Sequence, residues 1–190
     1  MGTNRYILFN KPYGVLCQFT DEGTGHPTLK KYIPVREVYA AGRLDLDSEG
    51  LLILTNDGRL IKHLTDPKHH LPKRYFVMVE GNPDEEKINR LRIGIDLKGY
   101  QTLPCQVFQI DPPMLPERSK PVTPHGPTSW LEMVLYEGKK RQIRRMTAAV
   151  GLFTLRLYRW AIGNVTIEGL KPGEWRELKS GETRMLWQDS

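Results

Sequence analysis

A chain of 190 residues with 39% hydrophobic side chains is long enough to bury a real core, which points to a single compact unit spanning 1–190. Lys and Arg total 28 against 22 Asp and Glu, and the resulting net charge of +6 draws the protein toward a polyanion. No window approaches the run of roughly 20 apolar residues that a membrane span needs, and Met1 to Tyr13 has no leader-like apolar stretch, so the expectation is a cytoplasmic protein with no membrane partner.

Taken in chain order, Tyr6-Ile7-Leu8-Phe9 is a short strand. Asn10-Lys11-Pro12-Tyr13-Gly14 is turn chemistry leading to a second apolar run at Val15-Leu16-Cys17. Val38-Tyr39-Ala40 leads into Gly42-Arg43-Leu44-Asp45-Leu46-Asp47, where three charges alternate with two leucines and share one face if the segment is extended. Ser48-Glu49-Gly50 is expected to turn the chain. Leu51-Leu52-Ile53-Leu54 is apolar on both faces, like a central strand, and Asn56-Asp57-Gly58 ends it. Leu60, Ile61 and Leu64 predict a short helix stopped by Pro67.

Arg74 to Val79 is a further strand, and Asn82-Pro83-Asp84 caps a helix carrying Ile88, Leu91 and Ile93 that Gly94 closes. Six prolines between Asp111 and Thr128 exclude a regular element there, so 111–128 is expected to be a mobile inserted surface loop. Alternation of Leu131, Met133 and Leu135 predicts a strand, with later strands near Leu155-Leu157 and Val165-Ile167. Strands and helices mix without a βαβ repeat, which makes the fold class α+β with a mixed sheet.

Cys17 and Cys105 have no CxxC spacing and are expected to be buried, reduced thiols. His26, His63, His69, His70 and His125 show neither HxxxH nor HExxH spacing, so no metal site is expected.

The stretch from Lys139 to Gly151 has helical periodicity. Ile143, Met146 and Val150 fall on one face, Gly151 stands as the C-cap, and Arg141, Arg144 and Arg145 project from the other side. Arginines in the first two turns oppose the helix dipole by up to about 0.3–1 kcal/mol each. Stability alone does not explain them, whereas an anion bound at the helix start does.

A carboxylate performs covalent chemistry if it is ionised, rigid and placed in a water-poor cleft beside a cation. Asp45 fits, next to Arg43, but Asp47 and Glu49 are close rivals, and residue types alone do not choose among them. Asp47-Ser48 also fits a plain turn cap. Tyr75 follows Lys73-Arg74, where a ring beside cations can stack a nucleobase or simply fill a core.

Three of these segments together resemble the ribosomal pseudouridine synthases, the family of the small-subunit synthase A and the large-subunit synthases B, E and F. The segment from Gly42 to Gly58 resembles their catalytic-aspartate signature, Lys73-Arg74-Tyr75 their Lys-x-Tyr motif, and Glu137 to Met146 their arginine motif. Leu155 to Gly163 and Leu170 to Arg176 extend the likeness over nearly the whole chain. The resemblance implies a mixed, mainly antiparallel sheet in two subdomains, about 1–66 and 67–190, flanking an active-site cleft. It selects Asp45 as nucleophile, lays Tyr75 on the target base, and pairs Arg144 with Asp45. Arg43, Lys73, Lys139, Lys140, Arg141 and Arg145 then contact RNA, chiefly at phosphates, which position a substrate without reading its bases.

The implied reaction is isomerisation of one uridine in bacterial 23S rRNA, in the peptidyl-transferase region, by a monomer without a cofactor, since no redox carrier is needed. Many relatives carry a small S4-type RNA-binding domain ahead of the catalytic part, and here no such domain is expected. The competing readings are a non-catalytic rRNA-binding or ribosome-assembly protein, which makes no demand on Asp45, and a glycosidase. The latter needs Asp45 and Asp47 to face each other at about 5–10 Å, which alternating positions on one strand suit poorly.

Overall fold

The computed structural model describes residues 3–69 and 71–188; His70 and both chain ends lie outside the described residues. Among the described residues, nine strands form one sheet. In chain order the elements are β1 (Tyr6–Lys11), β2 (Tyr39–Ala40), β3 (Glu49–Thr55), α1 (Gly58–Thr65), β4 (Lys73–Glu80), α2 (Glu85–Ile93), β5 (Gln106–Ile110), β6 (Thr128–Leu135), α3 (Gln142–Ala149), β7 (Phe153–Ile162), β8 (Val165–Thr166), β9 (Trp175–Glu177) and α4 (Ser180–Met185). The strands run in the order β5-β6-β4-β7-β3-β1-β9, with β2 beside β3 and β8 beside β7. Every pairing is antiparallel except that of β3 with β7. The fold is therefore α+β with a mixed, mainly antiparallel sheet, as expected.

That parallel contact is the seam of the molecule. It consists of two residue pairs, Glu49 with Tyr158 and Gly50 with Arg159. Gly50 makes it possible: its φ is +100°, and a Cβ there would stand 2.3 Å from the Arg159 carbonyl oxygen. Any side chain would push the halves apart.

Packing explains why the strands read as they do. Leu51 to Leu54 are fully buried because both faces of β3 are covered: Leu51 and Ile53 join one apolar cluster with Leu60, Leu64 and Tyr158, while Leu52 and Leu54 join another with Phe9, Leu29 and Leu44. On β4, Tyr75, Val77 and Val79 face a third cluster with Ile143, Met146 and Val150 of the basic segment. Asp57 caps α1 through the Arg59 amide, and Asp84 caps α2 through the Lys87 amide. Ile93 ends α2 on the solvent side rather than in the core.

The apolar run Val15 to Cys17 stays outside the strands, where Leu16 makes an isolated bridge with Thr28 and its amide donates to the Pro27 carbonyl. Some expectations need correction. The turn expected at Ser48-Glu49-Gly50 lies earlier, where the Ser48 amide donates to the Asp45 carbonyl at 3.0 Å, and Glu49 already belongs to β3. The helix expected from Lys139 begins at Gln142, because Arg141 adopts a left-handed conformation (φ 52°, ψ 33°). β9 pairs with β1, and Leu186, Ile167 and Val165 bury against Leu8 and Leu51, so the end of the chain returns to cover the β1 edge that would otherwise stay unpaired.

The proline-rich loop carries no regular element up to Thr128, but it is anchored. Arg156 donates to the Pro116 carbonyl at 2.8 Å, Arg118 donates to the Leu155 carbonyl and lies 4.5 Å from the Tyr13 ring, and the His125 amide donates to Glu80. Among the described residues no helix is long and apolar enough to cross a membrane.

Candidate active site

The turn at the head of β3 is held from several directions. Leu44 is buried, its amide donating to the Cys17 sulfur at 3.3 Å. The Leu46 carbonyl accepts from the Gly14 amide at 2.9 Å. The Asp47 carbonyl accepts from Arg144 Nη2 at 2.8 Å, and the same guanidinium donates through Nη1 to the Thr154 carbonyl of β7. Backbone groups in a turn have no sheet partners of their own, so these contacts fix its conformation. Lys11 lies beneath it, fully buried, donating to the Pro12 and Val15 carbonyls. Burial pushes its ammonium down to about 8, against the opposing pull of Cys17, Glu49, Asp47 and Asp45.

The three candidate carboxylates have separate fates. Glu49 is buried in a bidentate ion pair with Arg156 at 2.8 and 3.0 Å. Asp47 accepts two hydrogen bonds from Arg141, both 2.9 Å, and lies 3.4 Å from Arg144 Nε. Burial alone would raise the Asp47 carboxyl, but the Arg141 hydrogen bonds and the charges of Arg144 and Arg141 outweigh it and hold the group below the usual carboxylate range. Burial pulls Arg144 the other way, below the ordinary guanidinium value, yet a guanidinium keeps its proton at any working pH, so the pair is ionic.

Asp45 differs from both. Its side chain is 35% exposed, and among the described residues its carboxylate has one ionic neighbour, Arg141 Nη1 at 4.0 Å, beyond hydrogen-bond reach. The expected Arg144–Asp45 pair is thus replaced by Arg144–Asp47. The reason is geometric: Arg144 sits on the first turn of α3 behind the acidic turn, where it meets the Asp47 backbone, whereas Arg141 precedes the helix and reaches over the front.

Asp45 opens onto a cleft of about 650 Å³ between the two sides of the sheet. Arg43, Lys73, Tyr75, Lys139, Lys140 and Arg141 line it as well, so seven of the nine residues singled out in the sequence share one cavity. Arg144 supports the turn from behind. Arg145 turns away, donating to the Leu97 carbonyl at 2.8 Å with its guanidinium 5.6 Å from the Tyr100 ring. Tyr75 is 8% exposed, packs in the core and also lines the cleft.

Sequence reasoning missed Arg159 and Glu137. Arg159 is 3% exposed on β7 beside Tyr75 and lines the cleft. An arginine inside the ten-residue strand Phe153–Ile162 was a visible signal, since a buried cation is costly unless something needs it. Glu137 is buried and accepts from the Leu103 amide at 2.8 Å and from Gln142 Nε2 at 2.7 Å, which ties down the turn before α3. Cys17 and Cys105 are buried free thiols, and burial pushes Cys105 up to about 11. Among the described residues no cluster of three His, Cys, Asp or Glu could hold a metal ion.

A carboxylate left unlocked on a cleft, an aromatic floor and a rim of cations can act on a polyanion whose reacting part is a planar ring. Comparison with known proteins points the same way. Residues 5–149 match the family model described as RNA pseudouridylate synthase. The chain is 52% identical over 177 residues to the ribosomal large subunit pseudouridine synthase E of Vibrio parahaemolyticus, covering 92% of this chain and 74% of the relative. It is 50% identical over 174 residues to the protein of that name from Xanthomonas campestris, covering 90% and 93%. A crystal structure of a pseudouridylate synthase superposes with a TM-score of 0.83 at 30% identity, covering 98% of this chain and 75% of that one.

Proposed function

Because this chain belongs to the RNA pseudouridylate synthase family and is an isomerase that converts uridine to pseudouridine in ribosomal RNA, we propose that Asp45 is its nucleophile. The single observation that carries this is the contrast among the three acids, of which Asp45 alone is on the cleft with its carboxylate free of hydrogen-bonded cations. The substrate is a uridine of bacterial 23S rRNA in the peptidyl-transferase region, acted on by a cytoplasmic monomer. Half-identity over most of the chain to large-subunit synthases E supports that choice.

The reaction breaks the C1′–N1 bond, turns the uracil and rejoins it through C5. A paired uridine must first leave its stack, at a cost of about a few kcal/mol. Contacts of Arg43, Lys139, Lys140 and Arg141 with phosphates, and of the Tyr75 ring with the base, offset that cost. Asp45 then attacks C1′ or the pyrimidine ring, or removes a sugar proton to give a glycal. Asp47 is the wrong group for this work, because Arg141 occupies both of its oxygens. Arg144 acts as a positioning residue that holds the turn.

Tritium release from rRNA labelled at uridine C5 tests the assignment, since isomerisation frees that hydrogen and binding or simple hydrolysis does not. Asp45→Asn is expected to lower release by at least about 10³-fold while RNA affinity stays within about threefold. Full activity in that variant sinks the role of Asp45, and absence of release from the native protein on any rRNA sinks the substrate.

A further inference from the structure

The cations of the cleft fall into two groups. Arg43, Lys140 and Arg141 are exposed at its mouth, whereas Lys73 and Arg159 sit at its floor on neighbouring strands. Arg159 donates through Nε to the Leu51 carbonyl at 2.8 Å, which ties β7 to β3, but its buried Nη2 has no hydrogen-bond partner among the described residues. Among the described residues Lys73 has only the Leu71 carbonyl, at 3.2 Å. Among the described residues no carboxylate lies within ion-pair distance of either. Burial, and then the Arg159 charge, push the Lys73 ammonium down to about 8. Two uncompensated cations side by side oppose folding, and one bond to Leu51 uses a single N–H of the five a guanidinium carries.

Their depth decides what they meet. Phosphates are strongly hydrated and joined to the rest of the RNA, so they stay at the mouth, where exposed cations await them. Only the base of an extruded nucleotide reaches the floor. Arg159 is the β7 residue registered beside Tyr75, so a ring lying on Tyr75 presents its edge to that guanidinium. Resting on the reading that Asp45 drives isomerisation here, we propose that Arg159, assisted by Lys73, seats the uracil carbonyl oxygens and stabilises the negative charge that the base acquires when it detaches.

The chemistry requires such a charge. When Asp45 attacks C1′ or removes a sugar proton, the C1′–N1 bond breaks with its electron pair remaining on uracil, and the monoanion shares its charge among N1, O2 and O4; when Asp45 adds to the ring, the detached base stays bonded to Asp45 and the pair is shared between N1 and O2. After the base turns, C5 supplies the pair for the new bond to C1′ while the bond to Asp45 breaks and returns its carboxylate, or, from the glycal, while C2′ takes back its proton; the C5 hydrogen departs as a proton, and N1 regains one. Nothing is oxidised or reduced. Donors already in place where charge develops, in a site shielded from water, accelerate the step because they need no reorganisation. The same cations hold the free base, as a reaction that must recapture its leaving group demands.

The test uses the intact protein under single-turnover conditions with two matched rRNA fragments, bearing uridine or 5-fluorouridine at the target position. Fluorine makes the detached base a weaker base and a better leaving group, so it needs less help from the protein. Digestion and chromatography follow loss of the original nucleoside. Arg159→Met is expected to slow loss of uridine by about 100-fold and of 5-fluorouridine by about 10-fold or less, with RNA affinity within about threefold. Lys73→Met should shift both rates in the same directions by less. Equal slowing on both RNAs would reduce Arg159 to a bolt between strands, and weaker RNA binding with an unchanged rate at saturating RNA would make it a phosphate contact; either result overturns the proposal. Should Arg159→Met fail to fold, Arg159→Lys gives the same ratio test with a smaller deficit. A native protein that consumes neither nucleoside refutes the isomerase reading, whereas one that consumes both while the variants keep the native ratio refutes this inference alone.

Discussion

The acidic turn at 45–48 and the basic segment at 139–145 face each other across one cleft, yet they are built by opposite means. The turn is tied at Leu44, Leu46 and Asp47 to Cys17, Gly14 and Arg144 and is closed on itself by the Ser48 amide on the Asp45 carbonyl, and every tie uses a backbone atom. The basic segment keeps Lys139, Lys140 and Arg141 at the surface, joined to the other side chiefly by the Arg141–Asp47 pair. A group that makes or breaks bonds must stay within a fraction of an ångström of its target, whereas a phosphate contact works over a range of positions because its attraction falls slowly with distance. If Asp45 is the nucleophile, as proposed, rigidity is placed where chemistry needs it.

Arg144 offers the sharpest way to break that contrast, since it lies in the basic segment but acts on the turn. Removing it leaves the Asp47 carbonyl and the Thr154 carbonyl without their donor. Arg144→Met is therefore expected to lower the single-turnover rate by about 100-fold, the usual scale for a misplaced catalytic group, while RNA binding weakens by no more than about threefold. A loss confined to binding would put Arg144 with the phosphate contacts and dissolve the distinction. Gly50→Ala attacks the same rigidity from the seam. With the Arg159 carbonyl 2.3 Å from the added carbon and φ at +100°, the change should cost about 2–3 kcal/mol of stability, read from the denaturation midpoint, and slow the reaction by about 10-fold because the turn moves with the head of β3. Unchanged stability would mean that the seam opens freely.

How far the sequence carried the reading depended on what signal each segment had. β3, β4, β6 and the buried face of α3 were legible because their apolar residues repeat at the period of the element. β5 was not, since in Gln106–Ile110 only Val107 is buried and one apolar contact makes no pattern. β9 and α4 were missed for a related reason: three and six residues are too few for periodicity, and their place is set by the open edge of β1. Arg144 meets Asp47 rather than Asp45 from the first turn of α3, while Arg141, in a left-handed conformation just ahead of the helix, is the arginine near Asp45. That backbone state has no signature in a run of Lys and Arg. Residue types likewise did not separate Asp45 from Asp47 and Glu49, since all three are acids at alternate positions; the resemblance selected Asp45, and the coordinates add that the three differ in which arginine each one meets.

The smallest expected effect concerns the rim. Lys139 and Lys140 line the mouth of the cleft, and the one side-chain tie found for them is Lys139 Nζ 5.0 Å from the Tyr100 ring. Replacing both with Ala removes two mobile cations without touching the turn, so the rate at saturating RNA should change by less than about twofold. Affinity should fall about equally for cognate and unrelated RNAs, and the slope of log affinity against log salt should drop by about 1–2, as expected when up to two phosphates lose their partners. A slope that does not move would show that the exposed lysines never met phosphate, leaving Arg43 and Arg141 to hold the RNA. A large fall in rate with an intact slope would instead extend the demand for exact placement from the turn to the whole basic segment.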